Sequence, residues 1–346
     1  MQDDQSIQVI AQQCASNFNL GCVIEIAPIM PSFRNQSFRV HTDQCLFLLR
    51  LHHQTKTNDD ILREERVMHQ ARLGGVPTPE LLGTFLQARR WVSAQEWVLG
   101  ETLSTFALTP ELAYRSGVLL ANVHHALVDF VPRGIPIEHY QSIEARIAQQ
   151  VASDTEKINM VYEILSQAEW ISDHHAAIRY LLDLSARLQQ CTESSVPIYT
   201  LHPQYLHGDF NPRNIILAKS RWMVIDWEDT FWGNPAFDIA KALLYLCGFP
   251  EHDSRQPISS SFLAGYRTYA HLSDDDLESV FWQARFVIAP DVNWLLVSLS
   301  HRDARRLSFL QRDCERLERL WALGVAGWFN SSNIHAFHKM LNDYNK

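Results

Sequence analysis

Three side chains able to handle a metal or a proton, Asp209, Asn214 and Asp226, fall inside one stretch, YLHGDFNPRNIILAKSRWMVIDWEDTFWGNPAFD, running from Tyr205 to Asp238. Two carboxylates and an amide are hard oxygen ligands. They suit Mg²⁺, which keeps several waters and completes its shell with substrate phosphates. Phosphoryl transfer uses such a set: one carboxylate and the amide hold metal on a nucleoside triphosphate, and the remaining carboxylate accepts the proton of an attacking hydroxyl. Gly208 and Pro212 keep the segment around Asp209 out of regular helix and make it a tight loop. The apolar runs Ile215–Ala218 and Trp222–Ile225 flank Lys219-Ser220-Arg221 and read as two strands with a three-residue hairpin loop. That loop length sets Asn214 opposite Asp226 at the open end. A change of one residue would send the two side chains to different faces. Two other readings compete: unrelated turn and strand-end acids, or a metal hydrolase with His202, His207 and Asp209 as ligands, which the oxygen-rich surroundings suit less well.

The ordered set of His207-x-Asp209, Asn214 five residues on, and an apolar strand ending in Asp226 resembles the catalytic core of the protein-kinase-like superfamily. HGDFNPRN followed by IDWED and NPAFDIA is similar to the aminoglycoside phosphotransferase and choline kinase branch rather than to the protein kinases. The resemblance implies an α+β, two-lobed kinase-like fold. Residues 1–99 would form an N-terminal nucleotide-binding lobe of antiparallel sheet with helices, and residues 100–346 a larger, mainly helical lobe with the acceptor site, joined by a hinge about 96–101. It implies Asp209 as catalytic base, Asn214 and Asp226 as Mg²⁺ ligands, and Asp238 as an acid that braces the catalytic loop. Gly208 stands where protein kinases carry arginine, which argues against control by a phosphorylated activation loop.

The elements that must position these residues follow from periodicity. A helix over Ser6–Ala15 precedes a strand near Cys22–Ile29 and a hairpin of Phe38–Thr42 and Cys45–His52 turning at Asp43-Gln44. Between them lies PSFRNQS, at the place of the kinase phosphate-covering loop but without glycine. Ser32, Asn35 and Ser37 are its polar candidates for nucleotide contact. Arg50 occupies the place of the kinase lysine, and a guanidinium can fork onto phosphate oxygens and a carboxylate. Sharing a strand face with Leu46 and Leu48, it needs a partner. The helix Asn58–Leu73 offers Glu64 and Glu65, and the string REERVMHQ favours Glu65. Strands Leu81–Leu86 and Arg90–Leu99 lead to Glu96 and Val98, whose main chain the resemblance assigns to adenine. Thr109 caps a further helix ending in His124-His125, where His124 reads as packed structure rather than as a ligand.

Composition narrows the partners. The 346 residues are 46 % apolar and 20 % charged, and a net charge of −9 disfavours nucleic acid or an anionic membrane and is compatible with a cationic substrate. Met1-Gln-Asp-Asp opens no secretory core, no apolar run has bilayer length, and six scattered cysteines without a C-x-x-C pair fit reduced thiols, so a cytoplasmic protein is expected, with monomer and homodimer both left open. Glu228, Asp229 and Trp232 follow the expected metal ligand, and acids beside aromatics suit an amine. The expected reaction is transfer of the γ-phosphoryl group of ATP, with GTP left open, to a hydroxyl of an aminoglycoside or other amino-alcohol. Choline, homoserine, a sugar or a macrolide are alternative acceptors, and a non-catalytic nucleotide-binding module is the alternative class. Helices are expected over about 137–188, where Glu144, Asp173, His174 and His175 are polar candidates, after Ser273-Asp-Asp-Asp276, and as an amphipathic surface helix over 302–319.

Overall fold

Alternating apolar residues between Val23 and Glu96 build a five-stranded antiparallel sheet from β1 (Val23–Pro28), β2 (Gln36–Thr42), β3 (Leu46–Leu51), β4 (Leu81–Gln87) and β5 (Arg90–Glu96), in the order β1-β2-β3-β5-β4. The computed structural model describes residues 2–29, 35–132, 201–218, 221–247 and 256–273, with isolated helical positions at 179, 183 and between 276 and 287. Ser32, Cys191, Cys314, the candidates Glu144, Asp173, His174 and His175, and the stretch 302–319 lie outside the described residues.

In β3 the period of two sends Phe47, Leu49 and Leu51 to one core, shared with Val40, Val92, Ala94 and the buried face of helix α1 (Gln2–Asn17). Arg50 therefore belongs to the opposite face, opposed by Ser37 on one side and Ser93 on the other. Helix α2 (Asn58–Leu73) has the expected bounds. It opens with a capping box in which Thr57 Oγ1 accepts from the Asp60 N–H at 3.2 Å and the Thr57 N–H donates to Asp60 Oδ2 at 3.0 Å. Strand β5 ends three residues short of the expected Leu99. Its ladder to β3 runs out at the Phe47–Glu96 pair, and β3 itself begins only one residue earlier.

A three-stranded sheet joins β6 (Glu101–Thr102), β8 (Ile215–Ala218) and β9 (Arg221–Val224), while β7 (Gln204–Leu206) pairs with β10 (Phe231–Gly233). Helices α3 (Pro110–Leu127), α4 (Ala236–Tyr245) and α5 (Gln256–Arg267) complete the regular elements. Thr109 caps α3 by accepting from the Leu112 N–H at 3.3 Å. Ser273 and Asp276 form the reciprocal bonds of a second capping box. By compactness the chain divides into two units. One takes in Met1–Phe106 and Pro212–Thr230; the other takes in Ala107–Phe130, the chain through Asn211, and the chain from Phe231. Among the described residues no helix is long and apolar enough to cross a membrane. The described cysteines are unbridged, with Cys14 and Cys247 buried, Cys45 partly buried and Cys22 exposed.

Candidate active site

The hairpin carrying Asn214 and Asp226 forms in a register one residue away from the expected one. Strands β8 and β9 pair Ile215 with Val224 and Ala218 with Arg221, so Arg221 belongs to the strand and not to the turn. Asn214 consequently faces Ile225, whose N–H donates to the Asn214 carbonyl at 2.9 Å. Strand alternation does not then govern Asp226, because the chain leaves the pleat there in left-handed backbone, φ 67° and ψ 65°. Aspartate enters that region more readily than most residues. Two bonds within the same unit anchor the strand end. The Val224 N–H donates to the Pro77 carbonyl at 2.9 Å, and Trp227 Nε1 donates to Thr78 Oγ1 at 2.9 Å.

The Asp226 carboxylate meets the arginine predicted to need a partner. Arg50 Nη1 lies 2.8 Å from Asp226 Oδ1 and 3.8 Å from Glu64 Oε1. The expected partner, Glu65, is turned away and accepts from Thr84 Oγ1. The reason is helical period: the buried positions of α2 are Ile61, Glu64, Val67, Met68 and Ala71, so Glu64 shares the inward face while Glu65 lies about 100° round the helix. Arg50 is 7 % exposed and its Nε has no partner among the described residues. Burial opposes its charge, but Asp226, Glu64 and Glu228 outweigh burial and raise its pKa. Glu64 is raised by burial against the pull of Arg50.

Around this pair the acids outnumber the cations. Burial, then Asp226, with Asp229 and Glu64 adding, push Glu228 up to about 7 even though Arg50 draws it down. Its Oε2 accepts from Asn35 Nδ2, and its carbonyl accepts from Lys56 Nζ at 2.7 Å. The residues predicted to hold a metal, the Asp226 carboxylate and the amide of buried Asn214, are hard oxygen donors, and Mg²⁺ asks for no more than one or two protein carboxylates. Asn35 is buried, and its Oδ1 accepts from the His53 N–H at 2.8 Å, so both ends of its amide are engaged within the protein.

Asp209 belongs to the other unit, since the chain passes between units from Asn211 to Pro212. Its loop is clasped from behind. Asp238, fully buried on α4, accepts from the N–H groups of His207 at 2.8 Å and Gly208 at 2.9 Å. Gly208 has φ 81°, which explains glycine at this point of the loop. His124 backs the clasp, with Nε2 3.3 Å from Asp238 Oδ2 and Nδ1 2.8 Å from the Tyr266 hydroxyl, the packed role expected of it. His207 Nδ1 accepts from the Asp209 N–H at 3.2 Å, and its ring stands edge-on to Phe210. It thus braces the loop, and among the described residues no three His, Cys, Asp or Glu side chains converge as a metal shell. The Asp209 carboxylate lies 2.7 Å from Lys241 Nζ. Burial opposes its ionisation, yet Lys241, with His207 and Asn211, holds it below the usual carboxylate range.

Of the remaining candidates, Ser37 sits in β2 across from Arg50, and Asp229 closes a short 3₁₀ turn with Glu228. Glu96 ties its N–H to the Glu80 carbonyl at 2.8 Å and accepts from the Glu80 N–H at 3.2 Å, while Val98 follows the end of β5 half-buried. Trp232 stands edge-on to Tyr205 at 5.4 Å. The sequence offers both Glu64 and Glu65 and its string match favours the wrong one, while Lys241 is not among its candidates. The period of α2 contained the signal for Glu64, and no local motif announces Lys241.

An antiparallel sheet whose inward arginine meets a helix acid and a hairpin aspartate, in a chain whose loop aspartate is clasped by a buried acid, is kinase-like. The chain belongs to the phosphotransferase enzyme family, whose sequence profile matches residues 25–280. Among solved structures it is similar to a microcompartment-associated aminopropanol kinase, at 19 % identity and a TM-score of 0.63 over 94 % of this chain and 98 % of that one. An amicoumacin kinase in complex with AMP-PNP, Ca²⁺ and amicoumacin gives 13 %, 0.64, 92 % and 96 % in the same terms. A spectinomycin phosphotransferase in complex with ADP and spectinomycin gives 14 %, 0.59, 96 % and 98 %. No curated protein matches in sequence.

Proposed function

We propose that this enzyme is an ATP-dependent, Mg²⁺-requiring kinase that phosphorylates a hydroxyl of a small amino-alcohol in the cytoplasm. The observation that carries the reading is the Arg50 guanidinium held between Asp226 and Glu64. A buried cation kept charged by two acids, with Nε still unpartnered, suits phosphate oxygens, and Arg50 would orient the α- and β-phosphates with Glu64 orienting Arg50. Asn214 and Asp226 would hold the metal, whose charge would offset that of the β- and γ-phosphates. Asp209 takes the acceptor proton as the hydroxyl oxygen bonds to the γ-phosphorus and the bond to the β,γ-bridging oxygen breaks, leaving ADP. Ser32 and Ser37 are assigned to the phosphate side, and the main chain at Glu96 and Val98 to the base, where either adenine or guanine is compatible. Most of the acceleration is positioning and charge neutralisation.

Glu228, Asp229 and Trp232 are the acceptor candidates, through charge pairing and cation–π contact with an amine. The net charge of −9 and the likeness to an aminopropanol kinase support an amino-alcohol over a neutral sugar. An ATP-consumption screen over amines, sugars and antibiotics tests this, with Asp209→Asn as the blank. Amino-alcohols should give a phosphorylated product, and the variant should bind ATP but turn over about a thousandfold more slowly. Full transfer by Asp209→Asn would refute the assigned base. Nucleotide binding with no product across the panel would refute the kinase reading in favour of a binding module.

A further inference from the structure

We infer that Lys241 is a positioning residue for the proposed base, its ammonium fixing the orientation of the Asp209 carboxylate. The inference rests on the reading of Asp209 as base and adds a residue that no loop motif contains. Lys241 Nζ lies 2.7 Å from Asp209 Oδ1, and the two side chains are only 17 % and 26 % exposed. Asp238 and Lys241 are three residues apart on α4 and so project from the same side of it. The first grips the loop backbone through the N–H groups of His207 and Gly208. With that backbone fixed, the remaining freedom of Asp209 is rotation of its own side chain, and the second grip removes it. The lysine is itself confined, its ammonium 5.7 Å from the centre of the Tyr245 ring one turn further on. Among the described residues His207 and Asn211 also act on Asp209. With Lys241 they keep the carboxylate ionised against its burial. A base that must receive a proton has to be empty and aimed beforehand, and the lysine serves both needs.

The test compares full-length wild type, Lys241→Met, Lys241→Gln and Lys241→Arg. The Asp209 carboxyl carbon is titrated by NMR, with Asp209→Asn identifying its signal. Removing a cation at this distance should raise the Asp209 midpoint by at least about one pH unit in the Met and Gln variants, and the Arg variant should stay near wild type. ATP turnover is followed with 1-amino-2-propanol as acceptor and with water alone. The neutral variants should lose about ten- to a hundredfold in kcat, keep nucleotide affinity within about twofold, and show the acid limb of the rate profile displaced by the same amount as the midpoint. Thermal melts accompany each variant, and the Gln variant stands in if Met disturbs packing. An Asp209 midpoint unchanged in both neutral variants overturns the inference. If the midpoint moves but Asp209→Asn retains full turnover, the base assignment fails while the grip of Lys241 stands. If Asp209→Asn is inactive and the neutral variants match wild type in rate and pH profile, Lys241 alone is wrongly assigned.

Discussion

One position separates Glu64 from Glu65, yet the first meets Arg50 and the second Thr84. The difference is testable at that scale. Glu64→Gln should raise the KM for ATP about tenfold, the worth of one charge-assisted contact, while Glu65→Gln should stay within about twofold. Equal effects in steady-state kinetics would mean that Arg50 is oriented by Asp226 alone. The buried spacing of α2 made Glu64 legible, and preferring a string match to that spacing led to its neighbour. Arg50 itself was legible as a cation on an apolar strand face that demanded a partner. Lys241 was not, because its contact with Asp209 joins residues far apart in the chain and only the fold brings them together.

Elements set these residues through register and close approach. The hairpin was visible as two apolar runs, but its register was not. The charge of Arg221 suits a turn, whereas the residue is the exposed first position of β9, paired with Ala218. Two-residue hairpin loops are the commonest, and that prior favoured the observed pairing. Among the helices, α3 and α5 touch through backbone. A Cβ at Gly117 would stand 1.9 Å from the Phe262 carbonyl oxygen, and one at Gly265 would stand 2.0 Å from that of Tyr114. Gly117→Val should therefore push the helices apart and lower stability by about 1–3 kcal/mol in urea unfolding. It should also loosen the His124–Tyr266 bond, which spans the same two helices and backs Asp238. An unchanged midpoint would show that the contact relaxes freely.

Across the whole molecule, protons couple to folding through His52. Burial, then Arg50, Lys56 and Arg90, push its pKa down to about 3. The unfolded chain takes up that proton as pH falls through 6.5, but the folded chain does so only near 3, so this contribution is full above 6.5 and is lost as pH falls. Glu228 acts in the opposite sense: its pKa is raised, so its contribution is full below 4.5 and is lost as pH rises through about 7. His52 Nε2 lies 2.9 Å from Ser93 Oγ, a bond that glutamine can replace. Relative to wild type, His52→Gln should gain stability as pH falls from 6.5 towards 4.5, by up to about 1.4 kcal/mol per pH unit in urea titrations. A parallel pH dependence would show that His52 is protonated in the fold. At this scale the order of strands and helices through α3 was legible from period and turn chemistry. The polar candidates before the catalytic loop, Glu144, Asp173, His174 and His175, carried no motif in the sequence and lie outside the described residues. A single turn of α4 bears both Asp238 and Lys241. Inserting or deleting one residue there would swing both grips off the loop together, so chimaeras and evolved variants should tolerate length changes on either side of that turn and none within it.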